Sequence, residues 1–247
     1  MKIFAIGGGG NGCPGQPYEI KDFDMQITKL TKQARPRLLF VSFAQCTQES
    51  ADAYFEIIKR NYEALGCQCA HLSDKDLQKS NVVAQKIKNT DIIYVGGGNT
   101  LRLMQKLRRY GIDKMLGQAK ERDVVLCGVS AGAICWCNYG NSDSRKFTSN
   151  SIQLIKVTGL GFVNVLLCPH YDVEAHRQDD LKRMMHRTKG VAIALENCVA
   201  LKIIDDKYTI EKTLPNAKAY KCYWQNGKYL KKELASCGNT KQLITKE

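Results

Sequence analysis

Short apolar runs at 2–6, 38–43, 68–72, 91–95 and 124–127 alternate with longer amphipathic stretches at 23–33, 51–65, 76–88 and 100–118. This rhythm narrows the fold more than any other feature of the chain. Short apolar runs rich in β-branched and aromatic residues match strands, and stretches with apolar residues at three- and four-residue spacing match helices. A strand-helix-strand order needs crossover connections, which are right-handed, so the strands lie parallel with helices over both faces. The expected class is α/β, doubly wound, with a mainly parallel central sheet. The second half changes character. An apolar run at 162–168, a helix at 173–187, runs at 191–195 and 199–204, and a hairpin about Asn226-Gly227 predict mainly antiparallel strands. No repeat or linker interrupts the 247 residues, and a hydrophobic content of 44% can fill one large core. A single domain over 1–247 is expected, with a core at about 1–205 and C-terminal strands and hairpin at about 206–247.

The run 124–127 leads directly into Gly128-Val129-Ser130-Ala131-Gly132-Ala133, a G-x-S-x-G pattern between a strand and a helix. A nucleophile elbow has this setting, because a tight turn there holds a hydroxyl out of the sheet. Side chains two positions to either side would collide with the strand and helix that cross at the turn, which is the mechanical reason for Gly128 and Gly132.

Two further glycine-rich loops follow strands. Gly7-Gly8-Gly9-Gly10-Asn11-Gly12 contains G-x-G-x-x-G, but Pro14 and Pro17 prevent a helix from starting where a pyrophosphate would sit. The second strand also ends without an acidic residue for the ribose, so no dinucleotide cofactor is expected. Gly96-Gly97-Gly98-Asn99-Thr100 ends the fourth strand and opens a helix, at the sheet edge where ligands bind. Its amides can donate to a developing oxyanion, and Gly98 with Ala131 would make a two-donor hole.

Of the four histidines, His71 ends a strand well before the elbow, and His176 and His186 fall on a basic helix. His170 ends a buried run and is expected on the same sheet edge as Ser130, where an imidazole can take the serine proton. Two carboxylates can fix its tautomer. Asp172 follows by two residues, the H-x-D/E spacing by which class I glutamine amidotransferases orient their base, and Glu196 ends the next apolar run. Spacing leaves both open.

The formal net charge of +13 raises the question of nucleic acid, but the basic residues are spread along the chain without the aromatic interleaving of a nucleic-acid groove. A basic surface suited to acidic substrates is expected instead. Eleven cysteines without framework spacing read as reduced thiols, and no set has the spacing of a metal site. No run approaches the roughly 20 apolar residues of a membrane span, and the first residues lack a signal-peptide pattern, so a cytoplasmic protein with no membrane partner is expected.

Strand-GGGNT-helix, GVSAGA, CPHYD and ALEN, in that order, resemble peptidase E (aspartyl dipeptidase) and its cyanophycinase relatives over residues 2–204. The resemblance implies a class I glutamine amidotransferase-like fold with a flavodoxin-like core, and a serine peptidase without a cofactor. It implies Ser130 as nucleophile, His170 as base, Glu196 rather than Asp172 as acid, and oxyanion donors at Gly98 and Ala131. It also places Asn99 and Arg177 near the substrate, a small peptide with an N-terminal aspartate whose carboxylate a guanidinium would read. The chain departs from the family between elbow and histidine and in the extension 208–247. The aromatic, lysine-rich hairpin there can pack as a sheet edge or form an interface, so a homodimer is one arrangement open to it. Two other readings are a non-catalytic metabolite-binding module and an esterase. The second usually runs serine, acid, histidine, and no histidine follows Glu196.

Overall fold

The computed structural model describes residues 1–173 and 175–246, with Ala175 by its backbone alone. Strands β1 (Lys2–Ile6), β2 (Arg37–Val41), β3 (Gln68–Leu72), β4 (Ile92–Val95) and β5 (Val125–Val129) are parallel in the spatial order β3-β2-β4-β5-β1. Helices α1 (Lys21–Lys29), α2 (Gln48–Glu63), α3 (Ser80–Lys88), α4 (Thr100–Arg109) and α5 (Ile112–Ala119) connect them. Successive strand residues point to opposite faces. Phe4, Ile6, Phe40 and Tyr94 therefore pack with Phe23, Ile27, Ile58 and Tyr62 of α1 and α2, while Ile3, Ala5, Leu39 and Ile93 pack with Leu103, Leu107 and Leu116 of α4 and α5. The stretch expected as one helix at 100–118 is two, because Gly111 turns left-handed at φ 67° between them.

The remaining elements are α6 (Ala131–Ile134), β6 (Cys137–Ser142), α7 (Lys146–Ser149), β7 (Ile155–Thr158), β8 (Val163–Cys168), α8 (Ala175–Arg187), β9 (Ala192–Leu195), β10 (Val199–Ile204), β11 (Lys207–Lys212), β12 (Ala219–Gln225), β13 (Lys228–Glu233), β14 (Cys237–Asn239) and α9 (Lys241–Ile244). Strands β10, β11 and β14 extend the first sheet beyond β1, all antiparallel. A second sheet has the order β7-β6-β8-β9-β12-β13. Most pairings in this half are antiparallel, as expected, while β6, β8 and β9 run parallel to one another. Strand β6 reads CNYGNS, too polar and glycine-containing to be recognised as a strand. The hairpin at Asn226-Gly227 is as expected, with both residues at positive φ (50° and 72°), the backbone a two-residue turn needs.

Two consequences position the site. The order β1-β5-β4 sets the turn after β5 between the glycine loops that follow β1 and β4. His170, expected on the same sheet edge as Ser130, instead follows β8 of the second sheet and reaches the first across the loop after β1, where its N–H donates to Gly7 O at 3.1 Å. No helix among the described residues is long and apolar enough to cross a membrane.

Candidate active site

Ser130 sits at φ 55° and ψ −111°, a backbone that L-residues rarely adopt. The turn is held from both ends: Ser130 N–H donates to Ile6 O at 3.0 Å, and its own carbonyl accepts from Ala133 and Ile134 at 3.0 and 2.9 Å, starting α6. The flanking glycines are there for space. A methyl group on Gly128 would stand 2.6 Å from Val95 O, and one on Gly132 would overlap that oxygen outright. Strand β4 thus passes directly behind the elbow, and any larger residue at either position would push the serine out of place.

The loop after β4 lies against the nucleophile, with the α-carbon of Gly97 facing the Ser130 Cβ. Gly98 is at φ 128°, and a side chain there would meet Ala44 O at 2.7 Å. Gln45 Nε2 donates to Gly97 O at 2.8 Å. Gly97 C=O and Gly98 N–H belong to one planar peptide, so this bond also fixes the direction of the Gly98 N–H. Among the described residues neither that N–H nor the N–H of Ala131 has a hydrogen-bond partner. Two amides beside a strained serine are what a developing oxyanion requires. Asn99, expected near the substrate, uses its side-chain oxygen to cap α4, accepting from Arg102 N–H at 3.1 Å, and is 4% exposed.

The loop after β1 frames the histidine. His170 N–H donates to Gly7 O, Cys198 N–H donates to Gly8 O at 2.9 Å, and the His170 ring lies beneath the α-carbon of Gly8. Its Nδ1 is 2.8 Å from Asn197 Oδ1. Neither expected acid bonds the imidazole among the described residues. Asp172 Oδ1 accepts from the Asn197 N–H at 2.8 Å. Glu196 accepts from Lys218 N–H at 2.7 Å and from Tyr220 OH at 3.2 Å. Burial, with Glu196 beside it, pushes the Tyr220 phenol up to about 12, so it remains a donor at neutral pH.

Arg177, expected near the substrate, is only 2% exposed, and its Nη1 donates to the backbone and side-chain oxygens of Asn141 on β6 at 3.4 and 3.3 Å. It is a held, desolvated cation rather than a solvated one. Cys168 Sγ donates to the same Asn141 side chain at 3.6 Å, which ties Arg177 to the end of β8, two residues before His170. The loop after β1 is anchored to α2, where Asn61 Nδ2 donates to Asn11 O at 2.8 Å and Arg60 to Gly12 O at 2.5 Å.

Residue reasoning missed Asn197, Gln45 and the part played by Gly7 and Gly8. The signal for the glycines was present, since four in succession after a strand with no cofactor to bind need another reason. Asn197 stands next to the residue that was singled out. Gln45 has no signal in sequence.

Residues 3–211 match the model of peptidase family S51. The uncharacterized peptidase YgaJ of Bacillus subtilis (strain 168) is 31% identical over 222 residues, 89% of this chain and 91% of its own length. Peptidase E of Shewanella amazonensis is 28% identical over 148 residues, 59% of this chain and 57% of its own. A crystal structure of a peptidase from an acI-B1 actinobacterium has the same fold, with a TM-score of 0.63 at 17% identity over 93% of this chain and 96% of that one. With a strained serine set between two glycine loops and a match over most of its length, the chain belongs to peptidase family S51.

Proposed function

We propose that this peptidase is of the serine type and hydrolyses small peptides with an N-terminal acidic residue. The observation that carries the reading is the backbone of Ser130, held in a costly conformation between two glycine loops with His170 fixed beside them. In the reaction His170 Nε2 takes the Ser130 Oγ proton as Oγ bonds the scissile carbonyl carbon. The resulting oxyanion is held by the Gly98 and Ala131 amides. The C–N bond then breaks, the leaving amine takes the proton from His170, and water activated by the same imidazole hydrolyses the acyl-enzyme. Removing one oxyanion donor costs about 10²–10³ in kcat in well-studied cases, so the glycine loop is as important as the base. The acidic substrate is what the family resemblance implies, with Arg177, held against Asn141 near the end of β8, as the guanidinium that would read its carboxylate.

A fluorophosphonate probe and a panel of Asp-X and Ala-X dipeptides test this. We expect labelling at Ser130, its loss in Ser130→Ala, a steep reduction in His170→Ala, and higher kcat/KM for Asp-X that falls roughly tenfold or more in Arg177→Gln, in line with a charge-assisted bond. Labelling without Asp-X preference would overturn the substrate and leave the chemistry. Cleavage that survives Ser130→Ala would overturn the chemistry.

A further inference from the structure

A histidine that serves as base needs its Nδ1 proton held, so that Nε2 is bare and faces the nucleophile. In serine peptidases a carboxylate is expected there, and this chain offers two within three residues of the relevant positions. Both are committed elsewhere. Glu196 is occupied by the Lys218 N–H and the Tyr220 hydroxyl, which tie the link after β9 to β12. Asp172 is occupied by the Asn197 N–H. The oxygen that faces His170 Nδ1, at 2.8 Å, belongs to the Asn197 side chain.

The surroundings are built for that pair. Asp172 holds Asn197 by its backbone, and Gly8 holds the next residue by accepting from Cys198 N–H. Cys198 is at φ 62° and His170 at φ 51°, so the chain bends sharply at both partners. A side chain on Gly8 would overlap both the Asn197 oxygen and the His170 Nδ1. The glycine leaves room for this hydrogen bond rather than for a ligand.

We infer that Asn197 is the positioning residue of the base, so that the relay is Ser130, His170, Asn197, with Asp172 acting only through the placement of Asn197 and Glu196 standing outside the relay. This rests on the serine-peptidase reading above. An amide oxygen fixes the tautomer as a carboxylate does but lends no negative charge to the imidazolium. The proton on Nδ1 stays on His170 throughout, and Asn197 neither gains nor loses one. The charged and titratable groups on the described elements packed about the imidazole are Asp172 on its own segment, Glu196 and Cys198 between β9 and β10, and Glu19 on the loop after β1, which accepts from Gly10 N–H.

The test uses the full chain: the pH dependence of fluorophosphonate labelling at Ser130, and the His170 tautomer by ¹⁵N NMR, in wild type, Asn197→Ala, Asn197→Asp and Glu196→Gln. Asn197→Ala should lower the labelling rate about ten- to a hundredfold, within what a positioned base contributes, and lose the fixed Nδ1–H tautomer. Asn197→Asp, nearly isosteric, should keep the tautomer and move the acid limb of the rate profile upward, since an anion now faces the imidazolium. Glu196→Gln should stay within about threefold of wild type, since acid–base catalysis is left in place. A steep loss in Glu196→Gln with Asn197→Ala unimpaired would overturn the inference. So would a fixed tautomer that survives Asn197→Ala. Wild type that holds the tautomer but is never labelled would instead sink the serine-peptidase reading and leave Asn197 as the partner of His170.

Discussion

Asp24 shows how a single buried residue ties the site's frame to pH. It is 0% exposed on α1 and accepts from Tyr18 OH at 2.5 Å and Tyr62 OH at 2.7 Å. Burial pushes its carboxyl up to about 6, against the two phenol bonds that favour the anion. The protonated form is therefore favoured by the fold. Its contribution to stability is full below about pH 4 and is lost as pH rises through 6, on the order of 3 kcal/mol in all. Asp24→Asn should flatten that dependence, so that urea unfolding of wild type and variant diverges between pH 4 and 6 and runs parallel above. A constant difference across that window would contradict it. At this scale the sequence was informative where chemistry forces one residue type and silent where neighbours compete. Gly128 and Gly132 were legible because nothing larger fits a turn crossed by a strand. Asp172 and Glu196 were not separable by spacing, and Asn197, whose side chain meets the imidazole, carries no charge to mark it in the sequence.

At the scale of elements, the site is four strand ends and what holds them, with β8 of the second sheet delivering His170. β5 delivers Ser130, β1 delivers the glycines that frame His170, and β4 delivers the amide at Gly98. Gln45, just past β2, sets the plane of the Gly97–Gly98 peptide. Gln45→Ala should lower kcat on the best dipeptide substrate about tenfold or more, by releasing one oxyanion donor, while KM and the thermal midpoint change little. A rise in KM at unchanged kcat would place Gln45 in binding instead. The first five strands were legible because buried parallel strands read as unbroken apolar runs. Strands β6 and β7 were not, because polar residues and a glycine break any apolar run in β6 and β7 is only four residues long, whereas the parallel pair β8 and β9, with α8 between them, repeats the strand-helix-strand order of the first half.

Across the whole molecule, two sheets meet at the loop after β1, and the C-terminal strands complete both. β11 and β14 cover the edge of β10, and β12 and β13 cover the edge of β9. The boundary near residue 205 expected from sequence falls in a turn between paired strands. A chain ending at Asp205 would leave two unpaired strand edges and expose buried Leu201 and Ile203, so it should aggregate and show no cooperative thermal transition. A monodisperse fragment that melts cooperatively would contradict this. The fold places Ser130 from one sheet and His170 from the other at one junction, and their joint action is the claim on which the proposed chemistry depends. The most direct measurement is mass-spectrometric mapping of a fluorophosphonate adduct on the folded chain. The expected result is a single modification at Ser130 that is absent in Ser130→Ala and strongly slowed in His170→Ala. Dipeptide hydrolysis at wild-type rate by Ser130→Ala, with the adduct elsewhere or missing, would contradict it.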